Sequence, residues 1–228
     1  MSKEEHDRLC KIGEAFLKRP LSANGHGCHF AIREAAVYGE NPDVFGIRHG
    51  HADRYDTGTI VLEAKTSRGD FLNDKKKPFR IDPETGMGRW RYYICPEGLI
   101  LPAELPPRWG LLYVNKQGHI KPIWGAIAIP KKTYQNSDGT NRKFIPIGAA
   151  EEYFLRFAFA ARNIQHEQNL LAMALTRLGD PEELLYKQRD YNRLESKLFN
   201  KEQKIHDLER ELSSYRLKEL RLTLKNKP

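Results

Sequence analysis

Glu63, Ala64 and Lys65 stand at the end of the apolar run Thr59-Ile60-Val61-Leu62. In an extended strand, residues two apart share a face, so Glu63 and Lys65 point the same way. An acid and an amine side by side at the end of a buried strand are costly unless something uses them. Pro42-Asp43 lies upstream of the pair. An aspartate, a strand glutamate and its i+2 lysine could hold a metal and a water against a phosphate. Two bland readings compete: an intrastrand ion pair for Glu63 and Lys65, and a turn role after proline for Asp43. Asp53 and Asp56 also precede Glu63 and are alternatives to Asp43.

Several elements must position these groups. Residues 59–65 read as a buried strand, because β-branched residues dominate and Asp56-Thr57-Gly58 marks a turn before them. Residues 44–47 give another strand. Ser67-Arg68-Gly69-Asp70 fits a capping box, with Ser67 as N-cap and Asp70 at N3; its helix should run over 68–76 and stop at Pro78. An apolar stripe of Leu9, Ile12, Phe16 and Leu17 predicts a helix over 4–18. Residues 30–38 read as a second short helix, carrying Glu34. Further strands are expected at 92–95, 111–114 and within 120–129, and Asp138-Gly139 marks a hairpin turn.

From Ala149 the pattern turns helical, over 149–178, until Gly179-Asp180-Pro181 breaks it. Beyond Pro181 a heptad repeat has Leu184, Tyr191, Leu198, Ile205, Leu212 and Glu219 at a. Lys187, Leu194, Lys201, Leu208, Tyr215 and Leu222 fall at d. Nine of these twelve are apolar, which favours a coiled-coil seam over a solvated helix. The expected organisation is therefore a domain over 1–148, a helical connector over 149–180 and a coiled-coil helix over 181–228. The seam implies self-association, with an intramolecular helical hairpin as the alternative.

The 228 residues carry a net charge of +8, which favours an anionic partner such as nucleic acid. Lys75, Lys76, Lys77, Arg80, Arg89 and Arg91, interleaved with Phe79 and Trp90, suit a grip on phosphates and unpaired bases. A basic solvated loop is the bland alternative. No run reaches the eighteen or so apolar residues of a membrane span, and the charged N-terminus does not read as a secretory signal. Three scattered cysteines do not make a disulfide framework, so a reducing cytoplasm is expected. His26-Gly27-Cys28-His29 and His49-Gly50-His51 lack the usual zinc spacings.

Pro42-Asp43 with Glu63-Ala64-Lys65 resembles the PD-(D/E)XK nuclease superfamily. The longer run through Thr66-Ser67-Arg68-Gly69-Asp70-Phe71-Leu72-Asn73-Asp74-Lys75 is similar to a branch of small bacterial and phage proteins that includes MmcB-like DNA-repair proteins. Arg91-Tyr92-Tyr93, Leu105-Pro106 and Trp109-Gly110-Leu111-Leu112 also look like that branch. The resemblance covers residues 30–115. It implies a restriction-endonuclease-like α/β core, a mixed central sheet flanked by helices, followed here by the helical, coiled-coil extension.

The resemblance also implies a metal-dependent deoxyribonuclease of repair, recombination or phage DNA metabolism. Asp43 and Glu63 would converge on one Mg²⁺ or Mn²⁺, with the Ala64 carbonyl as a third oxygen ligand. Two carboxylates about 4 Å apart repel by roughly 4 kcal/mol at an effective dielectric of about 20, which a divalent cation relieves. Lys65 would orient the attacking water or stabilise developing charge. Glu34 matches an acidic residue on the first helix of the fold that can reach the metal through water. Two rival readings remain: a DNA-binding module with an inactive nuclease core, and a coiled-coil adaptor for a protein partner.

Overall fold

Helix α1 (Lys3–Lys18) turns Leu9, Cys10, Phe16 and Leu17 inward, the stripe its sequence spells at helical spacing. In this computed structural model of the protein, residues 3–34, 39–50, 54–146, 148–178 and 181–225 are described. The stripe packs on a six-stranded sheet of β1 (Phe30–Arg33), β2 (Val44–Arg48), β3 (Gly58–Ala64), β4 (Trp90–Pro96), β5 (Trp109–Val114) and β6 (Ile120–Trp124), ordered as numbered. β2 runs antiparallel to both of its neighbours, β1 and β3; β3, β4 and β5 run parallel, and β6 returns antiparallel. This is a mixed α/β fold with a central sheet flanked by helices.

Strand β3 is buried almost throughout, as its unbroken apolar run requires. Ile60, Leu62 and Ala64 join Leu9, Phe16 and Leu17 on the α1 side. Val61 packs the other way, with Phe45, Met87 and Leu170. By strand parity Glu63 faces that second side, and it pairs in register with Tyr93 of β4. The crossover from β3 to β4 carries α2 (Arg68–Asp74) and the short α3 (Pro78–Ile81). Ser67 caps α2, its hydroxyl accepting the Asp70 N–H at 3.2 Å. The capping box is therefore met on the N-cap side, but α2 ends at Asp74. Pro78 opens α3 instead of only stopping α2, since proline suits the first turn of a helix.

Two other expectations are corrected. Residues 30–33 form a strand, not the start of a helix, because Phe30 to Arg33 pair with Ile47 to Val44 along the free edge of β2, and residues 35–38 of the expected helix lie outside the described residues. Glu34 therefore sits in an exposed bend with φ 51°, and its N–H donates to the Asp43 carbonyl at 3.2 Å. The helical pattern over 149–178 divides into α4 (Ala149–Phe157) and α5 (Ile164–Leu178). Between them Phe159 N–H bonds the Arg89 carbonyl and Asn163 N–H bonds the Gly86 carbonyl, so pairing with the 86–89 loop overrides helix continuation.

Strands β7 (Lys132–Gln135) and β8 (Asn141–Phe144) form a separate hairpin around the turn at Asp138-Gly139. The chain divides into two compact units, Met1–Ala174 and Leu175–Pro228. The first extends well past 148, since Phe154, Phe157, Phe159 and Leu170 are buried with the sheet's apolar clusters. The second holds α6 (Pro181–Lys225), 45 residues of continuous helix. Among the described residues no helix is long and apolar enough to cross a membrane.

Candidate active site

The β2–β3 register pairs Val44 with Leu62, and one step further it sets Asp43 across from Glu63. Asp43 is fixed there by its own side chain: Oδ2 accepts the Ala64 N–H at 2.7 Å. Asp43, Glu63, Ala64 and Lys65 line one open cleft of about 400 Å³, together with Lys3 and His6 of α1, Asp70 of α2 and Lys77. His6 Nε2 lies 3.3 Å from Asp43 Oδ1. The motif residues separated by twenty positions in sequence thus meet at one place.

Beneath the cleft lies a buried charge network. Lys65 Nζ is 3.3 Å from both Glu63 Oε2 and Asp74 Oδ1. Arg80 reaches three acids: Nη1 donates to Glu40 Oε1 at 2.7 Å, Nε donates to Asp74 Oδ2 at 2.8 Å, and Nη2 lies 2.9 Å from Glu63 Oε1. The Tyr93 hydroxyl also donates to Asp74 Oδ2, at 2.8 Å. Glu40 is held from the other side by the Met87 N–H at 2.6 Å. Gly39 just before it runs at φ +113°, where an added Cβ would lie 2.1 Å from the His166 ring; only glycine fits this approach.

The ionisations follow from this packing. Burial pushes the Glu63 carboxyl up to about 7, against the pull of Arg80 and with added repulsion from Asp43. Arg80 itself is held more firmly charged: burial opposes its charge, but Glu63, Asp74 and Glu40 together outweigh it. The two partners shift differently because Arg80 is shared among three acids, while Glu63 is enclosed with other carboxylates beside it. Asp74, despite its burial, is held well below the usual carboxylate range by Arg80 and Lys65. Lys65 is held above its ordinary value, since Glu63 and Asp74 outweigh desolvation.

The cation-binding fit is partial. Glu63 Oε1 is buried and has no hydrogen-bond partner, because Arg80 Nη2 beside it is not aligned to donate. Asp43 supplies a second carboxylate across from it. Among the described residues, however, no group of three or more His, Cys, Asp or Glu side chains is arranged to hold a metal. An ion here would take two carboxylates, backbone oxygen and water, the donor set suited to Mg²⁺ or Mn²⁺.

The expected nucleic-acid grip divides. Lys76 is exposed, Lys75 is half-buried with Nζ 4.7 Å from the centre of the Phe71 ring, and Lys77 lies at the cleft with Nζ 2.8 Å from Asp74 Oδ1. Arg89 is half-buried and donates to the Thr57 carbonyl. Arg80 and Arg91 do not face outward. Arg91 is fully buried, donates to the Gly88 and Gly86 carbonyls and lies 3.9 Å from the centre of the Phe159 ring. Trp90 is also core, its indole N–H donating to the Phe154 carbonyl.

Among the described residues Glu34 does not line the cleft. Asp56 lies at the opposite end of β3, where it is ion-paired with Arg48 and Arg54. Asp53 and His51 lie outside the described residues. His26 is buried, and its Nε2 bonds the Tyr92 hydroxyl at 2.8 Å. Cys10, Cys28 and Cys95 are free and buried, and burial first among causes pushes each thiol up to about 12, so none is primed as a nucleophile. Sequence reasoning did not find Glu40 or His6. The helical spacing of His6 and Cys10 on α1 offered a weak signal; Glu40 offered none.

No protein-family model matches the chain, and no curated protein matches it. A solved structure of a protein of unknown function from Silicibacter pomeroyi is similar at 18% identity and a TM-score of 0.39, over 79% of this chain and 97% of that one. At that score the likeness assigns neither fold nor activity.

Proposed function

We propose that this chain is a metal-dependent nuclease of the PD-(D/E)XK superfamily, with a restriction-endonuclease-like core, hydrolysing DNA phosphodiesters in a bacterial or phage-infected cytoplasm. The observation that carries this is the β2–β3 register, which sets Asp43 against Glu63 with Lys65 in the same cleft.

Asp43 and Glu63 would hold Mg²⁺ or Mn²⁺, with the Ala64 carbonyl. Such an ion supplies the charge that polarises a phosphate and makes a water acidic. The Ala64 N–H fixes the Asp43 carboxylate, so its orientation is set before substrate arrives. Lys65 presents an ammonium beside Glu63, where it can orient the attacking water and stabilise charge growing on the phosphate oxygens. Lys77 adds a second ammonium at the same edge. In the reaction, water oxygen bonds to phosphorus, the P–O bond to the leaving sugar breaks, and the water proton ends on the leaving oxygen. Lys75 and Lys76 would contact phosphates outside the cleft. Helix α6 would self-associate as a coiled coil.

A crystal soaked with Mn²⁺ tests the site. Anomalous density between Asp43 and Glu63 is expected; an ordered cleft without it at saturating Mn²⁺ would remove the metal from the account. One observation favours a second reading, a DNA-binding module without catalysis: Arg80 and Lys65 already occupy the space around Glu63. That reading predicts salt-dependent DNA binding with no cleavage.

A further inference from the structure

Helix α6 leaves an apolar stripe uncovered: Tyr191, Leu194, Leu198, Ile205, Leu208 and Leu212 are each more than half exposed. Isolated exposed apolar residues are ordinary, but six at a and d spacing over three heptads form one seam, broken only by Lys201 at d.

We infer that a second copy of this chain covers the seam as a parallel, in-register, two-stranded coil. This rests on the self-association proposed above; the orientation is read from the charges that flank the seam. With Leu198 at a, Glu195, Glu202 and Glu209 fall at e, and Lys197 and Lys204 fall at g. In a parallel in-register pair each g residue faces the partner's e residue five positions on. Lys197 then meets Glu202 and Lys204 meets Glu209, each twice by symmetry. In sequence, Glu211 at g and Arg216 at e continue the alternation. Asp190 against Glu195 is the one like-charge contact.

An antiparallel pair faces e on e and g on g. Across the same stretch it sets glutamate against glutamate and lysine against lysine. Exposed ion pairs are individually weak, but they choose between otherwise equal arrangements of one apolar seam. Lys201 at d favours two strands over three. In a pair its stem can lie along the seam while the ammonium reaches water, whereas a third strand would enclose it. A parallel pair brings both copies of Pro181 to the same end of the coil.

The test uses the full chain and two single-cysteine additions; native Cys10, Cys28 and Cys95 are buried and do not compete. Sedimentation equilibrium should give twice the 26.4 kDa chain mass. Under mild oxidation Tyr191→Cys, at a, should close an interchain disulfide at least about tenfold faster than Ser196→Cys at outward position f, because a-position thiols come within bridging distance and f-position thiols do not. In an antiparallel pair centred on residues 191–212 the introduced thiols would lie about 30 Å apart. A dimer mass without the Tyr191→Cys bridge overturns the orientation while sparing self-association. A monomer overturns both, and a trimer overturns the two-stranded state. Neither readout involves cleavage, so failure of the nuclease reading remains separate.

Discussion

Arg80 Nη2 lies 2.9 Å from Glu63 Oε1, with both side chains almost wholly buried. The same guanidinium also holds Glu40 and Asp74. The strand glutamate that would bind metal is therefore anchored from below by a cation the sequence presents as a surface residue. The anchor keeps Glu63 in place but competes for its charge.

Arg80→Met should cost about 3–5 kcal/mol, because it leaves three buried carboxylates without their shared partner. Urea denaturation at pH 7 measures this. A loss below about 1 kcal/mol would show that the network tolerates the gap by taking in water.

Stability should depend on the ionisation of Glu63. Its folded pKa is raised, to about 7, above the unfolded carboxylate value, so its contribution is full below about pH 4.3 and is lost as pH rises through about 7. Glu63→Gln should therefore gain stability relative to wild type between pH 5 and pH 8 in EDTA. Asp74 shifts the other way: its folded pKa is lowered, so its contribution is present above about pH 3.9 and is lost on further acidification. Asp74→Asn should flatten the acid limb and, by removing a carboxylate that repels Glu63, move the Glu63 limb to lower pH. Chemical denaturation across pH separates the two.

Divalent binding should stabilise the fold. At a hundred times its Kd, Mn²⁺ should add about 2.7 kcal/mol, and the gain should disappear in Asp43→Asn. Because Glu63 must be ionised to bind, apparent Mn²⁺ affinity should rise from pH 6 to pH 8. Calorimetry at the two pH values checks the direction.

The basic residues of 75–91 should not behave alike. Lys76→Ala, and to a similar degree Lys75→Ala, should each lower the salt slope of DNA binding by about one unit without destabilising the fold. Arg91→Ala should instead unfold the protein more easily, since its guanidinium is spent on the Gly86 and Gly88 carbonyls. Filter binding over a salt series, paired with thermal melts, distinguishes the two classes.

The contrast shows what was legible in the sequence. Strand β3 could be read from its β-branched run, and the start of α2 from Ser67, because both signals are local. The meeting of Asp43 with Glu63 required a strand register that no local pattern carries; resemblance supplied it. Glu40 was invisible because its partner Arg80 is forty positions away and both are types that normally face water. The edge strand at 30–33 read as helix because four residues are too few to separate the two periods. The break after Phe157 follows from hydrogen bonds to the 86–89 loop, again a tertiary cause.

Cleavage of labelled DNA in Mn²⁺ under single-turnover conditions tests the central claim most directly. Wild type should cleave, with the reaction abolished by EDTA. Glu63→Gln and Lys65→Ala, each verified as folded, should each be slower by at least about a hundredfold. Equal rates for all three proteins, or no metal-dependent cleavage by any, would contradict it.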